Sequence, residues 1–284
     1  LNNPIKAAFL KEIIRSGSSL PVIAADDTGT EYIVKLKGIG DGVITNITEY
    51  ISTCIGYNIE LPVLKPFLII IDENSQVQII HEEFTDVIKR SYGLNICHKY
   101  YRDAMPIEKS GKTLDKLISD KIFLFDLFLI NVDRRKSNSD VISTGDEIFA
   151  TDFGSSFLIR SLIDGVNYYK NESILKQIKR SPFYNNNISD TQVSEMFERL
   201  KKIDASSIIS EIPEEWLDEM NEDAGILRKL MNERLTHFIN TERCVIEALK
   251  KLKELKVESE EDIKNRQLEN RKKFEREILF KKRT

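Results

Sequence analysis

Two short β-prone runs, Val141-Ile142 and Ile148-Phe149-Ala150, flank Ser143-Thr144-Gly145-Asp146, a pattern that spells a hairpin. A hairpin closes on itself, so whatever precedes Val141 must lie beside whatever follows Ala150. On one side stands Asp133-Arg-Arg-Lys-Ser-Asn138, and on the other Asp152-Phe153-Gly154. Asn138 and Asp152 are thereby expected to converge, giving the oxygen-rich environment that magnesium needs. Asp140 is expected at the base of the hairpin, with only Asn138 and Asp152 toward the cleft.

D-x-x-x-x-N followed by D-F-G is the order in which a phosphoryl-transfer site places three roles. The first Asp takes or orients the proton of the attacking hydroxyl, the Asn holds a metal ion, and the second Asp bridges metal to triphosphate. Either motif alone also fits an ordinary polar loop or turn; the hairpin between them joins the two signals. Such a site also needs a lysine against phosphate and a carboxylate to hold it. Glu31-Tyr-Ile-Val-Lys35 reads as the second strand of a hairpin after Val22-Ile-Ala-Ala, and Ile47, Ile51, Cys54 and Ile55 mark a helix that carries Glu49. Lys35 and Glu49 are the expected pair. Gly38, Gly40 and Gly42 follow the lysine, where they either let backbone amides approach phosphates or form a flexible turn. No G-x-G-x-x-G precedes Lys35, Asn131-Val132 replaces the usual His-Arg before Asp133, and no Ala-Pro-Glu follows Asp152.

These residues resemble the HipA-like kinases, in the compact bacterial branch without the long N-terminal region. The resemblance rests on Tyr32-Ile-Val-Lys35, Glu49 with Ile55-Gly-Tyr-Asn-Ile-Glu-Leu-Pro62, Asp126-Leu-Phe-Leu-Ile-Asn131-Val-Asp-Arg134, Asn138, Asp152-x-Gly154 and Ile212-Pro-Glu-Glu-Trp216-Leu. It spans roughly residues 20 to 240; Phe153 stands where this branch more often has His. The resemblance implies a bilobal α+β kinase fold, ATP and Mg²⁺ as cofactors, serine or threonine phosphorylation, and a toxin-antitoxin or stress setting with an antitoxin-like regulatory partner. A small-molecule kinase and a non-catalytic pseudokinase remain alternatives.

The expected organisation is an N-lobe over 1–83, a helical C-lobe over 84–245 and a charged helical tail over 246–284. Ile5 to Ile14 is expected to be helical, Phe67–Ile71 and Val77–Ile80 to form a hairpin around Asp72-Glu-Asn-Ser, and Asp223–Lys256 to be helical. Glu82, Glu83 and Phe84 fall where the chain is expected to cross between lobes and offer backbone groups to adenine. With 284 residues and 41% hydrophobic content the chain can bury a two-lobed core. Its apolar runs are too short or interrupted to span a bilayer, and its beginning does not read as a signal peptide. Three scattered cysteines suggest neither a disulfide framework nor a zinc site. A cytoplasmic location is the expectation.

From Lys264 to Thr284 nine Lys or Arg face three acids, a surplus of six that leaves the rest of a chain of net charge −4 at −10. A solvated charged helix, weak docking on the acidic body and partner binding all fit this segregation, whereas no base-reading motif accompanies it and nucleic acid is not the expected partner. Deleting residues 264–284 is expected to leave phosphoryl transfer within about twofold of the full chain while changing solubility or partner binding, because opposite charges across water attract weakly. Parallel activity and melting measurements check this, and a melting point lowered by many degrees would place the tail in the core.

Overall fold

The computed structural model describes residues 3–14, 20–79, 82–220, 223–257 and 268–269. Seven strands build one sheet: β1 (Ile5–Lys6), β2 (Phe9–Ile13), β3 (Val22–Ala25), β4 (Glu31–Lys35), β5 (Phe67–Ile71), β6 (Gln76–Val77) and β7 (Gly93–Lys99), in the order β1-β5-β7-β4-β3-β2-β6. Consecutive strands β1 and β2 thus lie far apart in that order, β1 at one end and β2 next to the other. Ala7 N donates to Ile70 O at 2.9 Å while its neighbour Ala8 N donates to Ala25 O at 2.8 Å, so the sheet curls and this dipeptide joins its two sides. Leu10, Val22, Ala24, Val34, Ile69, Ile71 and Cys97 fill the interior.

This curling overturns three expectations. Ile5–Ile14 is two strands rather than a helix, because pairing with both edges of the sheet outweighs the local preference of Lys-Ala-Ala-Phe-Leu-Lys-Glu. Phe67–Ile71 and the chain after Asp72 are not partners in a hairpin. β5 lies against β1 and β7, and β6 runs parallel to β2 on the far side of the seam. Glu82, Glu83 and Phe84 do not cross between lobes: they open α2 (Glu82–Arg90), which lays Phe84 and Ile88 onto the sheet's core before the chain returns to the sheet as β7. The sheet therefore runs on to Lys99, past residue 83.

Helix α1 (Val43–Asn58) lies between this sheet and the helical part of the chain. Ile47, Ile51 and Ile55 join Leu68 and Ile96 of the sheet in a core continuous with the helices beyond, and Asn46 Oδ1 accepts from Ile96 N at 2.7 Å. A second sheet of β8 (Met105–Pro106), β9 (Val141–Thr144) and β10 (Glu147–Ala150) contains the expected hairpin, with Val141 opposite Ala150. The helices α3 (Ile107–Ser110), α4 (Lys116–Leu129), α5 (Leu158–Asp164), α6 (Glu172–Ile178), α7 (Asp190–Leu200), α8 (Ala205–Ser210), α9 (Glu214–Asp218), α10 (Ala224–Asn240) and α11 (Glu242–Glu254) complete the described chain. The expected helix over 223–256 is two helices, parted at Thr241. Residues 246–254 are not tail: α11 buries Val245, Ala248, Leu249 and Leu252 against the helical core. Of the remainder of the charged segment, all but 255–257 and 268–269 lies outside the described residues.

One β7 residue, Leu94, ties the helical part to the sheet. Leu94 N donates to Glu215 Oε1 at 2.6 Å and Leu94 O accepts from Trp216 Nε1 at 2.8 Å, so adjacent side chains of α9 grip both ends of a β7 residue. Lys37, just past β4, adds ion pairs to Glu215 at 3.2 Å and to Glu219. Trp216 is fully buried and meets Tyr50 of α1 edge to face. Trp216→Ala is expected to destabilise the protein by about 3–5 kcal/mol through the cavity and the lost tie. Urea unfolding followed by circular dichroism tests this, since no other tryptophan is present to report fluorescence.

Candidate active site

The loop that begins at Asn131 is shaped from below by a buried ion pair. Asp126 is an acid buried among the apolar residues of α4, where burial raises its carboxyl pKa and the Arg134 guanidinium opposes the shift. Its Oδ2 accepts from Arg134 Nε at 2.7 Å and its Oδ1 from Asn131 Nδ2 at 2.9 Å. Arg134 also donates through Nη1 to Ser139 O at 2.7 Å and Asp140 O at 2.8 Å, and its guanidinium lies 5.0 Å from the centre of the Phe153 ring. A single fork thus holds both ends of the loop and the D-F-G phenylalanine, a task for a planar five-donor group that an ammonium cannot match. Asp133 and Asn138 are left exposed on this loop, steadied by Asp133 N on Asn131 Oδ1 at 3.3 Å and by paired main-chain bonds between Arg135 and Asn138.

On the facing side Lys35, at the end of β4, is buried between two acids. Its Nζ lies 2.7 Å from Glu49 Oε2 and 2.6 Å from Asp152 Oδ1. Burial lowers the ammonium's pKa, but Asp152 and Glu49 overcome this and raise it above the ordinary value. Burial likewise raises the Glu49 carboxyl, and Lys35 followed by His98 reverses the shift and holds it at about 2. Glu49 Oε2 also accepts from Phe153 N at 2.7 Å, while His98 Nε2 stands 3.4 Å from Glu49 Oε1 with its Nδ1 3.1 Å from Lys65 O. Glu49 therefore fixes both the lysine and the D-F-G backbone. Asp152 takes φ 60, and Gly154 packs closely: a Cβ there would sit 2.8 Å from Thr45 Cγ2 and would have to displace it.

Two cavities meet at this point. The larger, about 1000 Å³, runs between the curled sheet and the hairpin sheet, with Ile23, Ile33, Leu64, Tyr101 and Ile142 among its walls. The smaller, about 430 Å³, is bounded by Gly40, Asp41, Thr45, Asp133, Ser155 and Arg160, with Arg160 Nη2 paired to Asp41 Oδ2 at 2.6 Å across it. Lys35, Asn138 and Asp152 line both. Glu49 faces the larger cavity and Asp133 the smaller.

Of the three glycines only Gly40 reaches a cavity wall. Gly38 is committed elsewhere: its N donates to Ser91 Oγ at 3.0 Å, and a Cβ would fall 2.5 Å from Val87 O at the end of α2. Gly42 caps α1 with φ 65. Phe84 is buried in the sheet's own core and does not line either cavity. The chain beside the larger cavity is instead Lys99-Tyr100-Tyr101, leaving β7. Asp140, expected at the hairpin's base away from the cleft, is part of the larger cavity's wall. Burial and then the Asp152 carboxylate push its pKa up to about 7. Sequence reasoning assigned no role to Asp126, Arg134, His98 or Asp140. Only Asp126 announced itself, as an acid inside the apolar run from Ile122 to Ile130.

Comparison with known proteins gives the family and the fold. The profile of the HipA-like kinases matches residues 8–243, and the chain belongs to that family. Among solved structures it is similar to the Helicobacter pylori proinflammatory kinase CtkA, at 14% identity and a TM-score of 0.51 over 90% of this chain and 100% of that one. A fainter likeness, on which nothing rests, is to the Leishmania major MAP kinase LmaMPK10, at 10% identity and a TM-score of 0.27 over 85% of this chain and 81% of that one. No curated protein matches. The fold is thus a bilobal kinase fold and the family one of phosphotransferases. Among the described residues no helix is long and apolar enough to cross a membrane.

Arg134→Met is expected to cost about 3–5 kcal/mol, because it strands the buried Asp126 carboxylate and frees the loop carrying Asp133. Chemical denaturation measures the loss. The double variant with Asp126→Leu is expected to recover part of it, since no uncompensated charge then remains inside.

Proposed function

We propose that this protein is an ATP- and magnesium-dependent protein kinase that phosphorylates serine or threonine. The observation that carries the reading is the Lys35 ammonium, held by Glu49 and Asp152 where a nucleotide-sized cavity and a smaller cavity bearing Asp133 join. The larger cavity suits the nucleotide, with apolar walls for the base, the Lys99–Tyr101 backbone beside it and Lys35 against the phosphates. An acceptor hydroxyl enters the smaller cavity. Its oxygen attacks the γ-phosphorus, the bond from that phosphorus to the bridging oxygen breaks, ADP keeps the electron pair, and Asp133 takes the hydroxyl proton. Glu49 keeps the lysine charged and in place, so the chain's contribution is positioning and charge neutralisation.

Asn138 and Asp152, side by side in both cavity walls, are the residues that would hold Mg²⁺. Among the described residues no three His, Cys, Asp or Glu side chains converge as a ready-made metal cage, and magnesium ordinarily takes one or two carboxylates plus substrate phosphates. When bound, the ion neutralises phosphate charge. A polypeptide acceptor is favoured over a small molecule because Asp164, Asn167, Tyr168 and Tyr169, candidates for a pocket to enclose a small acceptor, are absent from the lining of the smaller cavity; the Tyr169 hydroxyl is spent on Phe128 O. A cytoplasmic setting is consistent with Cys54, Cys97 and Cys244 being unpaired. An antitoxin-like regulatory partner is carried by the family resemblance alone.

Asp133→Asn is expected to lower turnover by about a hundredfold or more with ATP affinity nearly unchanged, since it removes the base and keeps the loop's shape. Turnover within about twofold of the parent would overturn the assignment of the base. Incubation with γ-labelled ATP and a cell lysate, read by mass spectrometry, is expected to place phosphate on serine or threonine; transfer only to low-molecular-weight acceptors would overturn the protein-kinase reading.

A further inference from the structure

Asp140 sits where a surface aspartate has no reason to be. Its backbone is in the left-handed region at φ 51, a conformation that costs a non-glycine residue about 1 kcal/mol, and three donors hold it there. Arg134 Nη1, Thr151 N and Thr151 Oγ1 all reach its carbonyl, at 2.8, 2.8 and 3.1 Å. These bonds continue the hairpin register beyond Val141–Ala150, so Asp140 lies opposite Thr151, the residue before Asp152. The side chain lies in the wall of the larger cavity with Lys35, Asn138 and Asp152.

Its Oδ2 is buried and has no hydrogen-bond partner. A carboxylate oxygen taken from water without a donor is costly, and the neighbouring negative charges of Asp133 and Asp152 add to the cost. Lys35 is already shared between Glu49 and Asp152. Arg134 Nη2 is also without a partner, but the rest of that guanidinium is committed to Asp126 and to main-chain oxygens. A strained backbone, clamped by three bonds, thus keeps a carboxylate with one unsatisfied oxygen in the cavity wall that Asn138 and Asp152 share, with the Asn138 side chain as its polar neighbour.

We propose that Asp140 is a metal-binding residue: a further oxygen donor, beside Asn138 and Asp152, for the divalent cation that accompanies the nucleotide. The inference rests on the kinase reading above and extends its metal site to a position taken at first for a bystander.

The test is titration of the full chain, saturated with a non-hydrolysable ATP analogue, with Mn²⁺ followed by electron paramagnetic resonance of the free ion. Asp140→Ala is expected to weaken Mn²⁺ binding by roughly tenfold or more. Asp140→Asn, which tolerates the left-handed backbone and keeps one oxygen, should fall between it and the parent. Binding of the analogue in EDTA is expected to be unchanged or tighter in both, because a negative charge is removed from beside the phosphates. If both variants bind Mn²⁺ within about twofold of the parent while Asp152→Asn loses it, the proposal is overturned, the more so if Asp140→Ala lowers the melting point, which would make Asp140 a counter-ion of Arg134. If Asp152→Asn and Asn138→Ala also bind Mn²⁺ as the parent does, the metal site of the underlying reading falls instead.

Discussion

Everything in the cleft is referred to one buried ammonium. Lys35 leaves the water at the end of a strand whose neighbours are apolar, and nothing about that burial is favourable until Glu49 and Asp152 close on it. Glu49 comes from the helix between the two lobes, and Asp152 from the end of a hairpin in a different sheet. A charge that must be neutralised from two directions therefore sets the relative positions of β4, α1 and the D-F-G turn. Glu49 extends the constraint by accepting Phe153 N, and His98 closes the other side of its carboxylate.

A second buried charge does the same for the loop from Asn131 to Asp140. Arg134 is nearly inaccessible, yet it stands next to Asp133, one of the most exposed residues of the site. The alternation is functional in form: the chain presents Asp133 and Asn138 outward by drawing Arg134 inward onto Asp126, Ser139 and Asp140. The two buried ion clusters meet at Phe153, whose ring lies against Arg134 and whose amide lies on Glu49. Phe153 in place of the histidine expected for this branch leaves both contacts in place.

Much of the site was legible because its parts are local in sequence. The hairpin from Val141 to Ala150, the strand carrying Lys35 and the helix carrying Glu49 follow from short-range pattern, and the structure contains all three. The errors arose where pairing was remote. Ile5–Ile14 has the composition of a helix, and only the edges supplied by Ile69–Ile70, Val22–Ala25 and Gln76–Val77 make it strands. Phe84 would lie at a crossing only if the first lobe ended before it, whereas an interior strand of the sheet, β7, still follows. Asp140 was misjudged for a subtler reason: the base of a hairpin is remote from the solvent tip but adjacent to whatever the hairpin's ends converge upon.

The gripping of Leu94 by Glu215 and Trp216 also bears on how the chain is made. β1 needs β5, β5 needs β7, and β7 is held by side chains from α9, far along the polypeptide. A ribosome releases residues in order, and non-local contacts form only after their later partner has emerged. The first lobe is therefore complete in sequence by Lys99 but lacks its tie until Trp216 is free of the tunnel. During that interval the first lobe stands without the side chains of Glu215 and Trp216 that tie β7 to the helical part.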